Sequence, residues 1–316
     1  MLLTQMNGKT ASSSPFRVDR SLTMGFFAPL AEIRKRREKT LRIPILMYHS
    51  ICREPELGVH PYYRVVTTPE VFARHMKLLA WHGYQTVGLK ETAMLLRQNG
   101  PKGAPTIKKP VVITFDDGFL DFYTGAFPVL AARGFTATVF LPTSYIGGSR
   151  KVAGKEFLTW AQVRELGDAG ISFGSHSVSH GLLTAMPRHE VELELSRSKE
   201  AIEAETGRTV DAFSYPYAFP EHDKGFVAFL RGAIEGCGYR CAVTTGIGTA
   251  TLTGDTLFFK RLPVNDADDD GLFLAKLNGG YDWLHSAQYA AKKAKRILGV
   301  GRRKNLIKWS PPQQDQ

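Results

Sequence analysis

The chain has 316 residues, of which 43% are hydrophobic and 22% charged, and a net charge of +11. That apolar fraction is enough for a sizeable core, and no run is long and apolar enough to span a bilayer. The length suits one large α/β domain. The positive charge belongs to the ends: residues 1–42 carry nine Lys/Arg against three Asp/Glu, residues 276–316 carry nine against two, and the stretch between is left at −2.

In chain order, Met24 to Ala31 is apolar but only eight residues long, with Pro29 inside it and Arg34-Lys35-Arg36-Arg37 after it. It fails as a signal peptide, and residues 1–42 are expected to be a basic, partly disordered segment. Strand-like runs follow at 43–48, 111–115, 137–141, 171–173, 212–215, 240–244 and 257–262. Amphipathic helical segments are expected between them at 69–82, 122–133, 159–169, 189–206 and 226–236. Strands alternating with helices imply a parallel sheet in a catalytic domain spanning 43–275, with a loop over its rim at Gly147 and Gly148.

Residues 276–316 read as a basic helix and tail. Ala287, Ala290, Ala291, Ala294, Ile297 and Leu298 share one helical face, while Lys292, Lys293, Lys295 and Arg296 lie elsewhere on it. Such a helix packs on the domain or rests on an anionic membrane surface. Nucleic acid is not an expected partner, because aromatic residues are not interleaved with the basic tail apart from Tyr289 and Trp309. Cys52, Cys237 and Cys241 form neither an even set nor a close metal pair, which fits a reducing cytoplasm.

The chemistry is carried by two short motifs. Val111-Val112-Ile113-Thr114-Phe115 reads as a buried strand that delivers Asp116, Asp117 and Gly118 at its C-terminal end, where parallel α/β folds place catalytic groups. Ser175-His176-Ser177-Val178-Ser179-His180 adds two histidines four residues apart, a spacing that puts both imidazoles on one side of a helical turn. Asp117, His176 and His180 can supply three ligands to a divalent metal, leaving open positions for water, with Asp116 left to take a proton.

These motifs resemble those of the NodB-homology polysaccharide deacetylases, carbohydrate esterase family four, whose first motif is Thr-Phe-Asp-Asp-Gly and whose second is His-[Ser/Thr]-x-x-His. The resemblance runs from about Ile43 to Val264. Its opening Ile45-Leu46-Met47-Tyr48-His49-Ser50-Ile51 is similar to the branch acting on poly-N-acetylglucosamine exopolysaccharides. It implies a distorted, incomplete (β/α) barrel, Asp116 as general base, and Asp117, His176 and His180 as metal ligands. Zinc is the default metal, with cobalt, nickel or iron fitting similar ligands.

The family's third motif, Arg-x-Pro-Tyr, appears as Ser214-Tyr215-Pro216-Tyr217. The resemblance assigns the Tyr217 backbone N–H to the oxyanion; Tyr215, Pro216 and Tyr48, beside the motif residues, are the expected substrate contacts. Ser214 stands where the family carries the arginine that orients the catalytic aspartate. No histidine lies between Tyr239 and Val264 to serve as the usual general acid, so His49 and His222 are the two candidates. The implied reaction is release of acetate from GlcNAc units of an exopolysaccharide or lipid-linked glycan. Peptidoglycan or chitooligosaccharide deacetylation by the same residues is the alternative, as is a non-catalytic carbohydrate-binding homologue.

Overall fold

The computed structural model describes residues 17–37, 41–56, 59–98 and 107–297. Seven parallel strands form the centre: β1 Ile45–Tyr48, β2 Pro110–Phe115, β3 Thr138–Leu141, β4 Ser172–Ser175, β5 Ala212–Ser214, β6 Cys241–Ile247 and β7 Phe258–Pro263. The order is β1-β7-β6-β5-β4-β3-β2, and β2 pairs back onto β1, closing the ring. This is the expected (β/α) barrel with one strand fewer than the eight of a full barrel. Its distortion is local. β4 and β5 share a single paired position, Ser175 with Phe213, and the β6–β7 register shifts between Val243 and Ile247.

Every residue of β2 is buried, as expected for a strand covered on both faces. Inside the ring lies an apolar layer made by Ile45, Val112, Phe140, Ala212, Val243 and Phe259, one from each of six strands. The remaining strand, β4, contributes Gly174, where a Cβ would sit 2.5 Å from the Phe140 ring. A second, larger cluster packs the outer strand faces against the helices.

Beyond the N-terminal segment, the α-helices are α1 Pro69–Trp81, α2 Leu89–Gln98, α3 Phe127–Ala131, α4 Trp160–Asp168, α5 Arg188–Thr206, α6 Lys224–Gly236, α7 Asp270–Leu277 and α8 Trp283–Ile297. Their ends follow local chemistry. Thr159 and Gln162 form a reciprocal capping box on α4, Asp223 accepts from the Phe226 N–H at the start of α6, and Gly207, at φ 66°, terminates α5. No helix among the described residues is long and apolar enough to cross a membrane.

The boundaries expected at 42/43 and 275/276 are not structural boundaries. Residues 18–37 are helical, with a π turn at Thr23–Phe27, and they dock on residues 267–283. Arg17 donates to the Ala267 carbonyl at 2.8 Å, the Tyr281 hydroxyl to Asp19 at 2.6 Å, and the Trp283 indole to Thr23 at 3.0 Å. Helix α7 crosses the second expected boundary, and Lys276 is buried there, donating to the Pro263 carbonyl and to Asp268. Sequence patterning missed the docking of residues 18–37 because its anchoring groups are polar and lie 250 to 262 residues apart in the chain. Helix α8 covers most of the expected basic helix, but Leu298, the tail beyond it and the side chains of Lys292, Lys293, Lys295 and Arg296 lie outside the described residues, as do residues 1–16.

Candidate active site

Strand β2 ends at Phe115, and the Asp116 N–H extends its ladder by one bond to the Tyr48 carbonyl, 3.0 Å away. The chain then turns sharply: Asp117 has φ 72° and Gly118 φ 64°. A side chain at Gly118 would lie 2.8 Å from Leu141, so glycine is required there for space as well as for backbone conformation. The turn separates the two carboxylates, Asp116 entering the barrel mouth and Asp117 facing the histidines.

Past the end of β4, the His176 N–H bonds to the Leu141 carbonyl at 2.9 Å. The histidine pair does not lie on a helical turn as its spacing suggested. Residues 176–180 form an irregular bend with Ser177 at φ 67° and His180 at φ 54°, conformations that cost a side-chain-bearing residue energy and need external support. Glu194 of α5 provides that support, its carboxylate accepting both the Val178 and Ser179 N–H groups at 2.8 Å. The bend closes the two imidazoles to 4.7 Å between centroids.

Asp117 Oδ1 lies 3.5 Å from His176 Nε2 and 3.2 Å from His180 Nε2, and the three candidate ligand atoms fall within 4.8 Å of one another. His176 Nδ1 is 2.8 Å from the Ser214 carbonyl. A carbonyl can only accept, so Nδ1 carries the proton and Nε2 presents its lone pair to the cluster. Burial acts to raise the Asp117 pKa, but the two imidazoles outweigh it and hold the carboxyl well below its ordinary value. Two neutral-capable imidazole nitrogens and one ionised carboxylate make a three-ligand set suited to a divalent metal with open positions.

The second carboxylate is held by a residue that the sequence reading did not single out. Arg261 of β7, fully buried, grips Asp116 in a bidentate pair, Nη1 to Oδ1 and Nη2 to Oδ2, each at 2.7 Å. Its Nε donates to the Thr244 carbonyl, and its terminal nitrogens also reach Thr114 and Ser214 Oγ. Burial alone would raise the Asp116 pKa. The Arg261 charge and, after it, His176 reverse the effect and keep the carboxyl below its usual range. The signal in the sequence was strand parity: Arg261 lies two residues from Phe259, on the inward face, where a cation requires a carboxylate partner.

The remaining expected residues divide. His49 Nε2 is 3.9 Å from Asp116 Oδ2, at the mouth. Tyr217 adopts φ 59°, its ring 4.8 Å from that of His180. Thr245 Oγ1 pins this turn, donating to the Tyr217 carbonyl and accepting from the Phe219 N–H, and among the described residues nothing accepts the Tyr217 N–H. Pro216 is buried beneath it. The side chains of Tyr48 and Tyr215, 0% and 1% exposed, pack in the core and are not available to a substrate. Tyr48 bonds His75 at 3.1 Å and Tyr215 packs edge-on against Phe219. Both aromatics adjoin motif residues in sequence, but each points to the opposite side of its strand. His222 is exposed in the turn before α6, with no bond to the cluster among the described residues.

Comparison with known proteins bears on the family and the fold. The family described as polysaccharide deacetylase matches residues 103–232. YxkH of Bacillus subtilis (strain 168), whose name places it among the polysaccharide deacetylases, is 34% identical over 214 residues, 68% of this chain and 68% of that protein. The poly-beta-1,6-N-acetyl-D-glucosamine N-deacetylase of Escherichia coli (strain K12) is 35% identical over 99 residues, which is 28% of this chain and only 14% of that protein. The structure of the Streptococcus pyogenes deacetylase PplD in complex with acetate superimposes with a TM-score of 0.64 at 25% identity, covering 75% of this chain and 99% of the other. The chain therefore belongs to the polysaccharide deacetylase family, hydrolases that act on N-acetyl amide bonds.

Proposed function

We propose that the protein is a metal-dependent de-N-acetylase of GlcNAc units in an exopolysaccharide or lipid-linked glycan. The observation that carries the reading is the convergence of Asp117, His176 and His180 beside a second, ion-paired carboxylate at the C-terminal mouth of the barrel. Asp117, His176 and His180 would hold a divalent ion, zinc by default, which would supply Lewis acidity to the acetamide carbonyl and to water. Asp116 accepts the proton of the attacking water. Arg261 holds that carboxylate ionised and fixes the direction of its lone pairs. The free Tyr217 N–H is the donor for the oxygen that gains charge as the carbonyl becomes tetrahedral, and His49, 3.9 Å from Asp116, donates a proton to the departing amine. Acetate and a glucosamine unit are the products.

The GlcNAc assignment rests on the short match to the poly-beta-1,6-N-acetyl-D-glucosamine N-deacetylase and on the branch that the Ile45–Ile51 segment resembles. Acetate release from β-1,6-linked GlcNAc oligomers, chitooligosaccharides and peptidoglycan tests it. The expected pattern is metal-dependent release that is fastest from the β-1,6-linked series. Faster release from either of the other two would move the substrate, and no release from any would support a binding protein in place of an enzyme.

A further inference from the structure

We propose that the outward face of the N-terminal helix, residues 18–33, docks on an anionic lipid bilayer. Val18, Leu22, Phe26 and Leu30 recur every four residues, and Ile33 follows. On a regular α-helix a period of four drifts by about 40° per repeat. The π turn at Thr23–Phe27 is wider than an α turn and takes up part of that drift, which keeps the set aligned. These five side chains are 57%, 44%, 58%, 45% and 51% exposed, in that order.

The opposite face is already committed. Thr23 and Ala31 are buried, Thr23 accepts from the Trp283 indole at 3.0 Å, and the Phe27 ring stacks on that indole at 4.6 Å. The helix is therefore pinned through Thr23, Phe27 and Ala31, and the apolar set cannot rotate inward. Single exposed hydrophobic residues are ordinary on a protein surface. Five on one face over about 22 Å of helix form a contiguous patch that calls for a partner.

Charge identifies the partner. The patch runs directly into Arg34-Lys35-Arg36-Arg37, and the excess positive charge of the chain is confined to residues 1–42 and 276–316 while the stretch between is slightly negative. The fold brings the described parts of these two segments together, since residues 17–37 pack against 267–283 and α8, whose sequence carries Lys292, Lys293, Lys295 and Arg296, departs from Trp283. An apolar stripe flanked by basic residues suits acyl chains beneath anionic headgroups. The inference is separate from the catalytic reading, because nothing in the patch touches the metal cluster or Asp116.

The test compares the full chain with Phe26→Ser/Leu30→Ser in co-sedimentation with phosphatidylcholine vesicles and with equimolar phosphatidylcholine/phosphatidylglycerol vesicles. The wild type is expected to bind the anionic vesicles, with affinity falling as salt is raised. The variant should lose roughly a hundredfold, about tenfold for each apolar residue, with acetate release from soluble oligomers unchanged. Independently of those substitutions, a Phe26→Trp protein should show a blue-shifted emission when anionic vesicles are added. Failure of the wild type to bind, equal binding by the variant, or an emission from the Phe26→Trp protein that the vesicles leave unmoved would overturn the proposal. So would conversion of a stable dimer to monomer by Phe26→Ser/Leu30→Ser, which would make the stripe a protein interface.

Discussion

Arg261 lies on strand β7 and Asp116 just past the end of β2, far apart in sequence, yet the two terminal guanidinium nitrogens each meet one carboxylate oxygen at 2.7 Å. Ser214 Oγ, at the position where the family resemblance places an arginine, receives a bond from the same guanidinium at 3.1 Å. The cation that orients the aspartate has thus not been lost. It reaches the carboxylate from a different strand, and a small residue at 214 leaves the space it occupies.

Arg261→Gln should therefore be costly. Removing one partner leaves Asp116 buried and unpaired, a loss of about 3–5 kcal/mol in stability, measurable by urea denaturation. The sign of the pH effect is fixed. The paired Asp116 has a folded pKa below its unfolded value, so its contribution is present above the unfolded pKa and is lost as pH falls through the folded one. Without Arg261 burial dominates and the folded pKa rises, so the acid limb of the activity profile should move to higher pH. An unchanged acid limb would mean that Arg261 does not tune the base.

Glu194→Ala removes the acceptor shared by the Val178 and Ser179 N–H groups. Leaving them unsatisfied should cost about 1–3 kcal/mol, and loosening the bend should weaken metal binding by about 10–100-fold. Metal titration against a chelating dye reads the second effect directly, and Glu194→Gln, which keeps one acceptor oxygen, should recover much of it.

The two candidate acids separate in a pair of substitutions. His49→Gln should lower kcat by about 10²–10⁴ with metal content intact, because His49 stands 3.9 Å from Asp116. His222→Gln, in an exposed turn, should leave kcat near wild type. The reverse ranking would move the proton donor to His222.

His75 gives a pH dependence independent of the metal. Its ring is buried between Tyr48 and the Asp268 carbonyl and stacks on Phe273 at 4.1 Å. Burial, the largest influence, lowers its pKa to about 4. The unfolded chain then binds more protons than the folded one between about pH 6.5 and pH 4, so stability falls as pH drops through that window, by about 3 kcal/mol at most. His75→Gln should flatten that part of the curve of Tm against pH.

How much of this was legible in the sequence depends on the range of the interactions. The seven strands were visible because parallel barrel strands are short apolar runs, and Asp116, Asp117, His176 and His180 because each pair is contiguous or nearly so. Arg261 and Glu194 were not singled out, since each acts on a loop outside its own element: parity with Phe259 marks Arg261 as inward-facing but does not name Asp116 as its partner, and nothing local ties Glu194 to residues 178 and 179. The bend at 176–180 was misread for a related reason. A four-residue histidine spacing fits a helix equally well, and only the Glu194 anchor and the backbone at Ser177 and His180 decide against it. Tyr48 and Tyr215 show the opposite error, in which nearness to a motif was taken for a share in its site.

The most direct test measures metal content and acetate release on the same preparations of wild type, Asp116→Asn and His176→Ala. The account predicts one bound metal and turnover in the wild type, bound metal with turnover abolished in Asp116→Asn, and loss of both in His176→Ala. Near-wild-type acetate release by Asp116→Asn, or full metal occupancy in His176→Ala, would contradict it.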